Sequence, residues 1–200
     1  MNPLTRLEET LSPDLARWLH AAEGDLSLAW RTCPRPDWLI QIALALGVDR
    51  SLVVHAALEV AVDAVSRHRI ADLRPRRALM TALGWIDGRA PGTETWARGF
   101  AANEVAEALE GPARHAAHAA ACVAFACDDQ ADEAYYAHRA YAALAVGHAA
   151  SALDPARCCV TIRDRIPLAV VLERFDVASR PPPPLPLALD PAEITYSFYS

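Results

Sequence analysis

The chain contains no lysine: all 19 of its basic residues are arginine, against 25 acidic residues, so the formal net charge is −6. With no basic excess to offset phosphate charge, nonspecific nucleic-acid binding is excluded as an expectation. Cysteine is scarce and odd in number. The five, at positions 33, 122, 127, 158 and 159, make a poor disulfide framework and suit a reducing compartment. No run approaches 18 charge-free apolar residues, and the charged segment MNPLTRLEETLSPDLARWLH has no apolar signal core. The expectation is a cytoplasmic protein with no membrane association. A Gly-rich phosphate loop, a nucleophile elbow and a Cys-x-x-Cys pair are all missing. Recognisable catalytic machinery is therefore absent, and the chain reads as a non-enzyme with no cofactor.

What it has is alanine. The run from Ala101 to Leu153 is dominated by this strong helix former and is broken only at Gly111-Pro112 and Cys127-Asp128-Asp129. Helices with alanine faces approach closely, so the run implies tightly packed helices. Upstream, prolines and caps punctuate further helices. Ser12-Pro13 opens one within residues 2–23, Pro36 opens one closed by Gly47, and Asp49 caps one over about 50–68. In that last segment Ser51, His55, Glu59, Asp63 and Arg67 form a single polar stripe, and the remaining surface is apolar, so it reads as a central, largely buried helix. Helices follow from Asp72 to Gly88, from Thr93, over 112–127, over 130–153, over 157–165, and from Pro167 to near Asp176.

The fold class is all-α: a multi-helix bundle or a short array of stacked helical hairpins in one domain over 1–178, with Val53, Val60, Leu83, Phe125 and Leu144 in the core. Trp38, just inside a proline-opened helix, reads as a packing anchor. Residues 179–200 form an extended Pro-rich tail: Pro181–Pro186 cannot continue a helix, and Ile194, Tyr196 and Phe198 alternate as in a strand-like docking peptide.

Several groupings invite a chemical reading. His115, His118 and Cys122 share one helical face as weak metal-ligand candidates; the competing reading is histidine tolerated on an alanine helix. Tyr135, His138, Tyr141 and His148 share a face of the next helix, either as a polar groove or as an interhelical hydrogen-bonded layer. His55, Glu59 and Asp63 look like an acid/base trio, but no nucleophile accompanies them, and a stripe facing solvent or a neighbouring helix is the preferred reading. Cys158-Cys159 reads as a buried pair. Arg74, Arg76 and Arg77 at a helix start, with Trp85 beyond, could grip an acidic partner surface.

The segment Trp30-Arg31-Thr32-Cys33-Pro34-Arg35-Pro36-Asp37-Trp38-Leu39 resembles a Trp-x-x-Cys-Pro-Arg-x-x-Trp-Leu segment of a family of bacterial immunity proteins from polymorphic-toxin and bacteriocin-type conflict systems. Asp49-Arg50, Pro75-Arg76-Arg77-Ala78, Trp85, Gly88, the alanine-rich helices and Ile166-Pro167 are similar in order, so the resemblance spans about residues 26–176. It implies a helical protein that binds and neutralises a partner protein such as a cognate toxin. Two further hypotheses are a scaffold or adaptor docking a partner through its C-terminal tail, and, last, a metal-dependent helical enzyme. The tail would also offer a route to an oligomer.

Overall fold

The computed structural model describes residues 11–22, 25–127 and 135–179. Every regular element among them is a helix. In chain order these are α1 (Pro13–Ala21), α2 (Leu26–Thr32), α3 (Pro36–Ala45), α4 (Arg50–Arg67) and α5 (Arg74–Ile86), followed by α6 (Gly92–Glu107), α7 (Gly111–Phe125), α8 (Tyr135–Ala152), α9 (Pro155–Arg165) and α10 (Leu168–Ser179). No helix of the described residues is long and apolar enough to cross a membrane.

Local chemistry explains most boundaries. Proline occupies the first turn of α1, α3, α5, α7 and α9, where its missing amide costs no helical hydrogen bond. Aspartates 25, 49 and 154 accept hydrogen bonds from first-turn amides of α2, α4 and α9. Gly47 and Gly88 turn the chain out of α3 and α5 at φ of 72° and 69°, a conformation that side-chain-bearing residues rarely adopt.

Helix α4 is central. It packs on α3, α5, α7, α8 and α9, and Val53, Val54, Val60, Ala61 and Val65 on it are fully buried or nearly so. Its polar stripe faces α9: Asp63 pairs with Arg157 at 2.9 Å, and Glu59 pairs with Arg165 while lying 3.8 Å from His55. The trio that resembled an acid/base constellation is thus an interhelical ion-pair seam. Helix α7 is the second hub. It touches α4, α5, α6 and α8, and Ala116, Ala117, Ala119, Ala120, Ala121 and Ala124 along it are all fully buried. Each unit of a solenoid touches only its neighbours. Here α3 reaches α8, and α4 reaches α7 and α8, so the architecture is a bundle.

Val53, Val60 and Phe125 are buried as expected, but two core expectations fail. Leu83 is 38% exposed and Leu144 is 48% exposed. On α5 it is Ala78, Leu79 and Ala82 that face inward, and on α8 it is Ala142, Ala145, Val146 and Ala149. The close approach of alanine faces places the small residues at the seams and turns the bulkier leucines outward. Residues 181–200, and with them Ile194, Tyr196 and Phe198, lie outside the described residues.

Candidate functional site

The Trp30–Leu39 segment forms the α2–α3 turn, and its parts hold each other in place. Trp30 is 1% exposed and packs in the core. Arg163 of α9 donates to the carbonyl of Trp30 at 2.9 Å and to that of Cys33 at 2.7 Å, which satisfies two carbonyls at the end of α2. The Cys33 thiol donates to the carbonyl of Arg35 at 3.2 Å, and burial pushes its pKa up to about 11, so it is no nucleophile at neutral pH. Arg35 makes a two-pronged pair with Asp37, at 3.2 and 2.7 Å, and its guanidinium lies 4.7 Å from the Trp38 ring centroid. Trp38 packs against Trp18 at 5.7 Å.

This turn forms one wall of a cleft of about 640 Å³ between α3, α7 and α8. Leu11, Leu44, Ala143 and Leu144 give it apolar walls, while Arg35, Asp37, Gln41, His115, His148 and Ser151 supply polar groups. An apolar concavity with a few convergent polar groups is the usual form of a ligand site. The exposure of Leu144 is explained here, since it forms part of the cleft wall.

Three imidazoles meet beside the cleft. His115 Nδ1 and His148 Nδ1 lie 3.4 Å apart, one donating to the other, and the His118 ring stacks on His148 at a centroid distance of 5.1 Å. Arg114 Nε donates to His118 Nε2 at 3.4 Å, which leaves the ring proton on Nδ1, from where it donates to Asn103 Oδ1 at 3.1 Å. Glu107 sits 3.6 Å from His118 but is paired with Arg114 at 3.0 Å. Burial first, and then the neighbouring imidazoles, pushes the His148 pKa below its ordinary value; burial is also the leading cause for His118. The sequence separated these groups, putting His115 and His118 with Cys122 and His148 with Tyr135, His138 and Tyr141. The structure joins the three histidines across two helices. Tyr141 stands apart, in an aromatic cluster with Trp96 and Phe125, and the side chains of Tyr135 and His138 lie outside the described residues.

Cys122 does not join the histidines as a ligand. Its thiol is buried, and its pKa is pushed up to about 12 by desolvation. Among the described residues, no group of three or more His, Cys, Asp or Glu side chains is placed to hold a metal ion.

The arginine candidates divide. Arg74 is engaged within the chain, with Asp72 at 2.8 Å and Glu104 at 3.0 Å. Trp85 is half-buried and receives the Arg50 guanidinium at 5.1 Å from its ring centroid, while Arg50 also donates to the Ala126 carbonyl. Arg76 and Arg77 are exposed and form no ion pair among the described residues. At 100° per residue, Leu73, Arg76, Arg77, Met80 and Leu83 fall within an arc of about 120° on α5. Leu73 is 52% exposed and Met80 72%. The sequence reading identified the two arginines but not the exposed Leu73 and Met80 on either side of them, and it placed Leu83 in the core, although the i, i+3, i+4, i+7 spacing from Leu73 carries that signal.

No protein-family model, curated protein or solved structure matches this chain, so the resemblance of the Trp30–Leu39 segment rests on its residues alone.

Proposed function

We propose that this chain is a non-enzymatic immunity or interaction protein that binds and neutralises a partner protein, such as a cognate toxin, through the outward face of α5. The observation that carries the reading is the composition of that face. Leu73, Met80 and Leu83 are exposed along one helix side, flanked by Arg76 and Arg77. Large apolar side chains exposed along one helix side are a feature of interaction sites, and methionine and arginine are enriched at interfaces. The guanidinium groups ask for carboxylates on the partner, and the apolar residues ask for a surface that excludes water. The similarity of the Trp30–Leu39 and Pro75–Ala78 segments to immunity proteins supports the same reading.

The test is co-expression of the chain with the product of the gene encoded beside it, scored by host growth. The wild-type chain restores growth. Arg76→Glu combined with Arg77→Glu, expressed to the same soluble level, does not, because like charges across an interface are strongly unfavourable. Deleting residues 181–200 leaves protection intact. Full protection by the charge-reversed variant overturns the assignment to α5. Loss of protection on deleting the tail favours docking through the tail.

A further inference from the structure

The histidine-bordered cleft lies outside the reading of α5 and carries an inference of its own. We propose that the cleft between α3, α7 and α8 binds an apolar carboxylic acid, and that the His115–His148 pair takes up one proton from solvent for each carboxylate bound.

The size suits the ligand, since about 640 Å³ falls within the range of small-molecule sites. The walls at Leu11, Leu44, Ala143 and Leu144 select an apolar body. The charge inventory selects the head group. From α3 and the turn before it come Arg35 and Asp37, which neutralise each other through a two-pronged pair. From α6 come Asn103 and Glu107, both directed at His118, and Glu107 is held by Arg114 of α7. On α8, the Ser151 hydroxyl donates to the Gly147 carbonyl. Among the described residues this leaves the two facing imidazoles, 3.4 Å apart, as the titratable groups of the cleft without a counter-charge. Burial first, and then the neighbouring imidazoles of His118 and His115, disfavour the charged form of His148 in the free protein. A carboxylate entering the cleft supplies the missing negative charge in a partly desolvated setting, where attraction to an imidazolium is strong, so the pair gains a proton as the anion binds. A phosphate ester would bring a second negative charge, and among the described residues of the cleft the one guanidinium, Arg35, is already paired with Asp37. Among the described residues, no group of three His, Cys, Asp or Glu side chains is placed to hold a metal ion there.

Isothermal titration of the full chain with octanoate and with 1-octanol, at about pH 7.5 in phosphate and in Tris, tests the proposal. Octanoate is expected to bind at least about tenfold more tightly than 1-octanol. The difference in heat between the two buffers should report uptake of roughly one proton per octanoate. His148→Gln keeps a hydrogen-bonding side chain but cannot titrate. It should abolish the proton uptake and reduce octanoate affinity to that of 1-octanol, with an unchanged circular dichroism spectrum. If His148→Gln disturbs the fold, the wild-type measurements decide alone. Equal affinity for acid and alcohol, octanoate binding with no buffer-dependent heat, or no octanoate binding at millimolar concentration each overturns the proposal.

Discussion

Replacing Gly99 by alanine is expected to destabilise the protein, although the site lies inside helix α6, where alanine is intrinsically favoured by about 0.5–1 kcal/mol. The reason is Phe125 of α7. A Cβ on residue 99 would lie 2.5 Å from Phe125 Cε1 and 2.6 Å from Cδ1. Carbon atoms in contact sit about 3.5–4.0 Å apart, so the ring must retreat by roughly 1 Å. Trp96 at 4.7 Å, Phe100 at 5.2 Å and Tyr141 at 5.2 Å from its centroid stand in the way. Phe100 is 54% exposed and can give ground, which keeps the cost within the usual overpacking range of about 1–3 kcal/mol. Adding disturbed aromatic pairs at about 0.5–1.5 kcal/mol each, and subtracting the helix-propensity gain, leaves a net loss of about 2 kcal/mol. For a chain of this length that lowers the Tm by about 4–8 °C. Urea unfolding with an unchanged m-value measures it. Gly147→Ala in α8 is the matched control. There the nearest heavy atom to the new Cβ is Asp37 Cβ at 4.0 Å, so the substitution is expected to stabilise by about 0.5–1 kcal/mol. In a Phe125→Leu background the Gly99→Ala penalty should shrink. A Gly99→Ala protein as stable as the wild type would refute the close approach of α6 and α7.

Trp38, only 9% exposed and packed on Trp18 and Arg35, is expected to cost about 3–5 kcal/mol when changed to alanine, read as a fall in the urea midpoint. Arg163→Ala strips the Trp30 and Cys33 carbonyls of their donor and is expected to cost about 1.5–3 kcal/mol in the same assay. All five cysteines are buried and free, so a thiol-reactive disulfide reagent at mildly alkaline pH should react with none of them in the native protein and with five in denaturant. Stability should fall on acidification through pH 6.5, the ordinary histidine value, because His118 and His148 titrate lower in the folded chain than in the unfolded one. The unfolded state then binds more protons below that pH, and both states bind equally few above it. Changing both residues to glutamine should flatten the slope between about pH 7 and pH 5, whereas the lowered Asp49 and Asp72 pKa values act only near and below 3.8.

The punctuation of the fold was legible because it is local. A proline at the first turn, an aspartate before the helix and a glycine at positive φ each act within four residues. Helices α3, α4, α5, α7 and α9 accordingly begin close to their expected positions. The identity of the core was less legible. Hydrophobicity ranks leucine above alanine, yet Ala78 and Ala82 are fully buried while Leu83 is exposed. The ranking fails where two helices meet through small side chains, since close approach of the backbones fills the space that bulky residues would otherwise occupy. Which side of an alanine helix meets a neighbour depends on the whole bundle.

The site was harder still to read. Helical periodicity assigns residues to one face of one helix and says nothing about the helix opposite. It aligned His115, His118 and Cys122, but seven residues of helix rise about 10.5 Å, too far for the first and last to share one ion without help from elsewhere. The group that completes the histidine cluster is His148, on another helix, 33 positions from its Nδ1 partner His115. The charge balance of the cleft was equally hidden. Arg35 and Asp37 stand in plain view within the Trp30–Leu39 segment, where either could pass for a binding residue. Their mutual pairing removes both a free cation and a free carboxylate from the wall. It is that cancellation, set by the first turn of α3, that leaves the imidazole pair without a counter-charge among the described residues of the cleft, and on it rests the proposal that a carboxylate enters there.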